Sequence, residues 1–464
     1  MPRPRVGDEL ELQIDDVAFG GAGVGRDDGF VVFVADAAPG ERVRAWVRKS
    51  RRRHAEAELL EVVGEPAPAR REAPCPFVPR CGGCRLQHLD YEATLDAKRR
   101  QIVEHLARIG GLSDIDVRPV DGAEPQLGYR NKMEYSFGRA LDGGLALGLH
   151  ARGRWDEILD LSACLIASPR LDEIRATVRE WAASSGLAPY DQREQVGDLR
   201  HLVLREGTAT GQALATLVTS EGERIARAAD ELATQLVERH PDLVGVLHAV
   251  NAGVAESTQG LPSRVVWGRD HFAERVRGVE LRLSATAFFQ TNTHMTETLY
   301  GRVAEAAGLD GGQVLYDLFA GAGAIGIALG REAREVVAVE IQPEAVEDAR
   351  RNAGANGLTA HRALCGDVGK VLRENREELP DPDVAIVDPP RAGLNGKAVK
   401  RILEFAPPAL VYVSCQPATF AENAAKFVAG GYALEYVQPV DMFPQTPHIE
   451  AVARFTRVGA PSVD

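Results

Sequence analysis

From Gln313 to Phe455 the chain alternates short apolar, β-branched runs with helical segments, and that alternation narrows this half to one architecture. The runs are Val314–Phe319, Val336–Glu340, Val384–Asp388 and Ala409–Cys415. Such runs read as strands buried on both faces, and strand–helix repetition lays them parallel in a doubly wound sheet. Open sheets of that kind bind ligands outside the carboxyl ends of their strands. Glu340, Asp388 and Cys415 each fall at such an end, so one crevice should collect all three. Ser414-Cys415-Gln416-Pro417 breaks the last run at a thiol and then a proline. A thiol there is placed for nucleophilic chemistry, although most intracellular cysteines are simply small buried hydrophobes.

The first strand runs into Ala320-Gly321-Ala322-Gly323-Ala324-Ile325-Gly326, and Glu340 follows 19 residues after Gly321. Glycines let a turn approach a ligand, and a carboxylate at that distance accepts hydrogen bonds from ribose hydroxyls. The pattern is formally G-x-G-x-x-G, which also describes NAD sites. Asp388-Pro389-Pro390-Arg391 ends its strand on a carboxylate and two prolines that stop the ladder. An NAD enzyme has no need of a thiol and such a loop in one crevice. Glu450 precedes the last strand, Ala451–Phe455. It stands near Cys415 if that strand enters beside the sheet centre; otherwise it is a solvated strand start.

Residues 6–62 read as short strands, with turn glycines at 20, 21, 23 and 25. They suggest a small β-barrel of the oligonucleotide-binding kind. Arg42, Arg44, Arg48, Lys49, Arg51, Arg52 and Arg53 form a basic run with only Glu41 opposing it. This is either a phosphate-binding patch or a solvated face. A net charge of −13 argues against a surface basic throughout, not against a local patch. A proline-rich linker, 65–74, comes next. Tyr91–Ile109 has helical spacing, His201–Leu204 and Ala213–Val218 read as strands, and Glu223–Glu238 as a helix. The chain thus divides into a barrel at 1–64, a mixed α+β centre at 65–285 and the α/β sheet at 286–458.

Neither an apolar leader nor a run of membrane-spanning length is evident, so the expected location is the cytoplasm. In that setting cysteines are ligands or catalytic groups rather than disulfides. Cys75, Cys81 and Cys84 lie within ten residues, and Gly82-Gly83 allows a tight bend around a metal. Cys164 is the best fourth ligand, because Cys365 and Cys415 belong to the sheet. Spacing alone fits zinc and an iron–sulfur cluster equally.

Several strings now converge on one family. They are Cys81-Gly-Gly-Cys-Arg-Leu-Gln-His88, Tyr129-Arg-Asn-Lys132, Phe289-Gln-Thr-Asn292, Asp317-Leu-Phe-Ala-Gly-Ala-Gly323, Asp388-Pro-Pro-Arg-Ala-Gly393, Ser414-Cys-Gln-Pro-Ala-Thr419 and Asp441-Met-Phe-Pro-Gln-Thr-Pro-His-Ile-Glu450. In this order, from the barrel to Phe455, they resemble the RNA 5-methyluridine methyltransferases that carry an amino-terminal TRAM barrel and an iron–sulfur cluster. The resemblance implies a class I methyltransferase sheet behind a TRAM barrel. Cys75, Cys81, Cys84 and Cys164 should hold a [4Fe–4S] cluster. Gln290, Phe319, Glu340 and Asp388 should line the S-adenosylmethionine site, with Asp367 a weaker candidate. Cys415 should be the nucleophile and Glu450 the base. The implied partner is RNA, 23S rRNA before tRNA, with no membrane and no obligate protein partner. A non-enzymatic iron–sulfur RNA-binding protein is the alternative from another class. The family often has Ser-Cys-Asn-Pro where this chain has Ser414-Cys-Gln-Pro417, and some members have asparagine at the place of Ala324.

Overall fold

The structure, a computed structural model, describes residues 3–140, 143–258 and 260–459. Met1 and Pro2, the first residues of the expected barrel, lie outside them. Strands β1 (Glu9–Val17), β2 (Gly23–Asp27), β3 (Phe30–Ala35), β4 (Arg42–Ser50) and β5 (His54–Val62) close a barrel in the order β1-β2-β3-β5-β4. Alternate side chains point inward, and Leu12, Ile14, Val32, Val34, Val43 and Val47 fill it. Only part of the glycine cluster is a turn. Gly20 and Gly21 take φ of +109° and +87°. Gly23 lies in β2, where a Cβ would sit 2.9 Å from Ile14.

The basic run differs from its expectation. Strand β4 lies between β1 and β5, whose outward positions are glutamates. Arg42 pairs with Glu11, Arg44 with Glu9 and Glu61, Arg48 with Glu58, and Lys49 with Glu56. Most of that face is therefore a neutral lattice of cross-strand pairs. Arg51, Arg52 and Arg53, at the β4–β5 turn, have no carboxylate partner among the described residues. Glu41 opposes none of them. It is fully buried and accepts Arg70 Nε at 2.5 Å and Nη2 at 2.7 Å. Burial works against its charge, but Arg70 and the Ala38 amide hold its carboxyl below the ordinary range. The proline-rich segment is thus pinned to the barrel. Arg152 bonds Asp36 at 2.7 Å, and the Gln101 amide donates to the Val17 carbonyl at 2.9 Å, so the barrel is tied to the rest of the protein as well.

Helix α1 (Tyr91–Arg108), capped by Asp90, leads to β6 (Asp116–Val117). A seven-stranded sheet follows. It contains β7 (Lys132–Arg139), β8 (Leu145–His150), β9 (Ile158–Asp160), β10 (Leu199–Gly207), β11 (Gln212–Thr219), β12 (Leu243–Val250) and β13 (Ser263–Gly268), in the order β13-β12-β11-β10-β7-β8-β9. Helices α2 (Pro169–Ser184) and α3 (Glu223–Arg239) cover one face with a shared apolar core. A hairpin of β14 (His271–Val276) and β15 (Val279–Ser284) then packs on the third layer.

That layer opens with α4 (Thr293–Ala307). It continues through β16 (Val314–Leu318), α5 (Ala324–Leu329), β17 (Glu335–Glu340), α6 (Pro343–Ala355) and β18 (His361–Cys365). Next come α7 (Val368–Glu374), β19 (Val384–Val387), α8 (Gly396–Phe405), β20 (Ala409–Ser414), α9 (Pro417–Ala429), β21 (Tyr432–Val440) and β22 (Glu450–Arg457). The sheet order is β18-β17-β16-β19-β20-β22-β21-β6. Strands β16 to β20 are parallel, β22 runs antiparallel to β20 and β21, and apolar cores lie on both faces. Helix α1 packs on α9. No helix among the described residues is long and apolar enough to cross a membrane.

The Glu41–Arg70 tie carries a testable consequence. Removing one member of a buried ion pair strands the other charge and costs about 3 kcal/mol. Glu41→Ala should lower the unfolding free energy in denaturant titration by about that much. The double variant Glu41→Ala/Arg70→Ala should lose far less than the sum of the two single changes.

Candidate active site

The sheet reverses its winding at β16, which has β17 on one side and β19 on the other. The crevice therefore opens over the carboxyl ends of these strands. Phe319 leaves β16 with φ of +67°, and the amides of Phe319 and Ala320 both donate to the Val339 carbonyl. The chain then turns through Gly321 and Gly323, at φ of +55° and +78°. The third glycine of the motif has a separate reason. The Gly326 amide donates to Asp317 Oδ2 at 2.8 Å, and a Cβ there would meet that oxygen at 2.7 Å. Glu340 ends β17 and accepts the Gly321 amide at 2.9 Å and the Gln342 amide at 2.8 Å. Each carboxylate oxygen keeps lone pairs for a ligand hydroxyl.

Asp388 follows β19, and its amide donates to the Leu318 carbonyl. Its carboxyl keeps an accessible edge toward the crevice, yet enough protein surrounds it to push it up to about 7, with Asp317 adding to the effect. Asp317 is fully buried and likewise pushed up to about 7 by burial, and its Oδ1 has no partner. Cys415 is half-buried just beyond β20. Ser414 pairs in register with Ala451, so the next step along β20 sets Cys415 opposite Glu450. Burial, then the charges of Glu450 and Asp388, push the Cys415 thiol up to about 12. Glu450 is buried, accepts no side-chain hydrogen bond among the described residues, and leaves Oε2 orphaned. Burial and then Asp388 raise its carboxyl well above the ordinary range.

Arg391 opposes both shifts, favouring the charged forms of Cys415 and Glu450. It is the residue that sequence reasoning left without a role. Its signal was its place in Asp388-Pro-Pro-Arg391. Two loops that carry the site are joined behind it. Thr419 donates to the Arg391 carbonyl at 3.1 Å, and Asn423 accepts the Leu394 amide at 2.8 Å and the Tyr412 hydroxyl at 2.9 Å. Glu340, Phe319, Asp388, Cys415 and Glu450 are thus gathered at one end of the sheet. Gln290 lies on the approach to α4. Its carbonyl accepts Asn131 Nδ2 at 3.0 Å, and among the described residues no hydrogen bond joins its buried side chain to the carboxylates. Asp367 caps α7 by accepting the Lys370 amide at 3.0 Å, which is a structural use.

Cys75, Cys81, Cys84 and Cys164 line a single cavity, together with Phe77, Val78 and apolar groups from 149–166. The Gly83 amide faces Cys81 Sγ at 3.4 Å. Burial pushes the Cys84 thiol up to about 12 and raises Cys81 and Cys164, and the sulfurs add to one another's shifts. The thiols ring the cavity without converging on a point. No group of three or more His, Cys, Asp or Glu among the described residues could hold one metal ion.

Comparison with known proteins gives the same picture. The profile of the TRAM domain matches residues 3–60, and that of tRNA (uracil-5-)-methyltransferases matches residues 262–458. An uncharacterized RNA methyltransferase of Halalkalibacterium halodurans is 37% identical over 446 residues, covering 96% of each chain. One from Gloeobacter violaceus is 38% identical over 452 residues, covering 97% of each. The crystal structure of Pyrococcus abyssi tRNA (uracil-54, C5)-methyltransferase with S-adenosyl-L-homocysteine superimposes with a TM-score of 0.76 at 28% identity, covering 96% of this chain and 99% of that one. Kinship at this level along nearly the whole chain admits one conclusion: the protein belongs to the RNA (uracil-5-)-methyltransferase family and is an S-adenosylmethionine-dependent enzyme acting on RNA.

Proposed function

We propose that the enzyme methylates C5 of a uridine in RNA through a transient bond between Cys415 and C6 of the base. One observation carries this reading: β20 and β22 pair up to Ser414 and Ala451, one residue short of Cys415 and Glu450, and the Glu450 charge acts on the Cys415 thiol. Uracil C5 is a poor nucleophile. Attack of Cys415 Sγ on C6 saturates the 5,6 bond and gives C5 enolate character, which Arg391 supports by favouring the thiolate that attacks. C5 then takes the methyl group of S-adenosylmethionine. Glu450 removes the C5 proton, the double bond returns, and the C6–S bond breaks. A raised proton affinity suits that last role, because a base must hold the proton it takes. Gln290, Phe319, Glu340 and Asp388 would line the S-adenosylmethionine site.

Cys75, Cys81, Cys84 and Cys164 would hold a [4Fe–4S] cluster. Four thiols in one cavity, one of them faced by an amide, suit such a group, whose cationic iron would favour the thiolate forms that burial opposes. The target base leaves its stack to reach the crevice, and Arg51–Arg53 on the barrel grip phosphates of the same RNA. The substrate in our first reading is 23S rRNA, met in the cytoplasm, on the strength of a barrel and a cysteine site in one chain. The second reading is tRNA, which the Pyrococcus abyssi enzyme's name favours.

Cys415→Ala should abolish methylation and any RNA adduct that survives a denaturing gel. Glu450→Gln should instead accumulate the methylated adduct; normal turnover in that variant would remove Glu450 as the base. Replacing Arg51, Arg52 and Arg53 by alanine should reduce the slope of log affinity against log salt by about 2. Asp317 and Asp388 hold their protons more tightly when folded, so their stabilisation is full below the ordinary carboxylate range and is lost as pH rises through about 7. The melting temperature should therefore fall between about pH 5 and pH 8, and Asp388→Asn should flatten that fall.

A further inference from the structure

The segment 441–449, which delivers Glu450 to β22, is held carbonyl by carbonyl. Asn292 Nδ2 donates to the Met442 carbonyl at 3.1 Å. Thr446 Oγ1 and, at 3.4 Å, Lys98 Nζ donate to that of Phe443. The Tyr129 hydroxyl donates to that of Pro444 at 3.0 Å. The amides of Arg85 and Leu86 both donate to that of Gln445, at 3.0 and 3.1 Å. Gln445 itself is bent into the left-handed region, at φ of +68°. Asp441, at the start of the segment, is buried against Lys98 at 2.7 Å and the Tyr91 hydroxyl at 2.9 Å.

Two of these clamps come from the cysteine site. Arg85 and Leu86 directly follow Cys84 in the chain. The Tyr129 ring is buried in one apolar cluster with Cys84, Ile166 and Cys164. Its hydroxyl leaves that cluster to hold Pro444. A side chain packed against two of the cavity's cysteines and a support of the Glu450 segment are therefore the same. Glu450 Oε2 is orphaned and no hydrogen bond to its side chain is present among the described residues, so its aim is set by its backbone and the packing around it.

We propose that the cysteine site positions Glu450. Tyr129 and the Arg85–Leu86 amides are positioning groups, and disturbing them slows proton removal from the adduct. The inference rests on Glu450 being the base. The affected step is defined: Glu450 takes the C5 proton, the C5–H electron pair forms the 5,6 double bond, and the C6–S bond breaks to release Cys415 as thiolate. Earlier steps, Cys415 attack and methyl transfer, do not use Glu450. A displaced base thus yields more adduct, whereas general loss of folded enzyme yields less adduct and less product together.

The test uses the full-length protein with RNA and S-adenosylmethionine in single turnover. It reads the ratio of denaturation-resistant, methylated adduct to released product. Tyr129→Phe, which removes only the hydroxyl, should raise this ratio about 3- to 10-fold with the KM for RNA unchanged. Gln445→Gly, which tolerates the same backbone angle but frees it, should do likewise and stands in if Tyr129→Phe does not fold. Parental ratios in both variants, with Glu450→Gln still trapping adduct, would overturn this inference alone. A Glu450→Gln variant that traps nothing would overturn the base assignment beneath it.

Discussion

A strand laid antiparallel into an otherwise parallel sheet puts its first residue where its neighbours put their last. Strand β22 does this between β20 and β21, and the placement of Glu450 follows from it. In a fully parallel sheet, the residue opening that strand would lie at the amino-terminal face, a strand length from Cys415. Strands rise about 3.3 Å per residue, so the separation over such a strand would be on the order of 20 Å. Reversing one strand closes that gap without any long side chain. Glu450 and Cys415 are then held near each other by the ladder between β20 and β22, which ends one residue short of Cys415.

The same end of the sheet concentrates acid. Burial raises the proton affinity of Asp317, Asp388 and Glu450; Glu340 adds to the shift of Asp317, Asp317 to that of Asp388, and Asp388 to that of Glu450. Such a crevice is poor at holding three carboxylates and well suited to a ligand that brings positive charge. The sulfonium of S-adenosylmethionine carries one. Arg391 supplies another from the rim, exposed rather than buried, so it favours the thiolate without being locked in a salt bridge. This division explains why the loop beginning Asp388-Pro-Pro-Arg391 ends its strand with prolines. They deny the ladder a further hydrogen bond and free the arginine to face the crevice.

Much of this was legible in local sequence, because the parallel strands are long apolar runs and the ligand-facing residues follow them at once. Glu340, Asp388 and Cys415 were placed by that logic, whereas Glu450 was singled out only by the motif around it, since a glutamate opening a strand is otherwise read as solvated. What escaped was set by pairing partners far along the chain. His361-Arg-Ala-Leu-Cys365 is too short and too polar to announce a strand, and it forms one because β17 offers it an edge. The basic run looked like a phosphate patch because its glutamate partners lie on β1 and β5, and only the barrel's register sets them side by side. Lys98 and Asp441 are separated by 343 residues, and nothing near either one marks it for burial.

That last pair bears on why Glu450 is held as it is. A hydrogen-bond donor on its carboxylate would fix its aim, but it would also stabilise the charged form and lower its proton affinity. Leaving the carboxylate bare keeps its proton affinity high and moves the work of alignment to the backbone. The backbone of 442–445 is accordingly held from outside, by Asn292, Lys98, Tyr129 and the two amides after Cys84, while Tyr91 and Lys98 hold the Asp441 carboxylate. Each donor also satisfies a group that burial would otherwise leave unpaired, at about 1–3 kcal/mol apiece. Stability and alignment therefore share the same hydrogen bonds. A substitution among them separates the two only when, like loss of the Tyr129 hydroxyl, it removes a donor and leaves the packing intact.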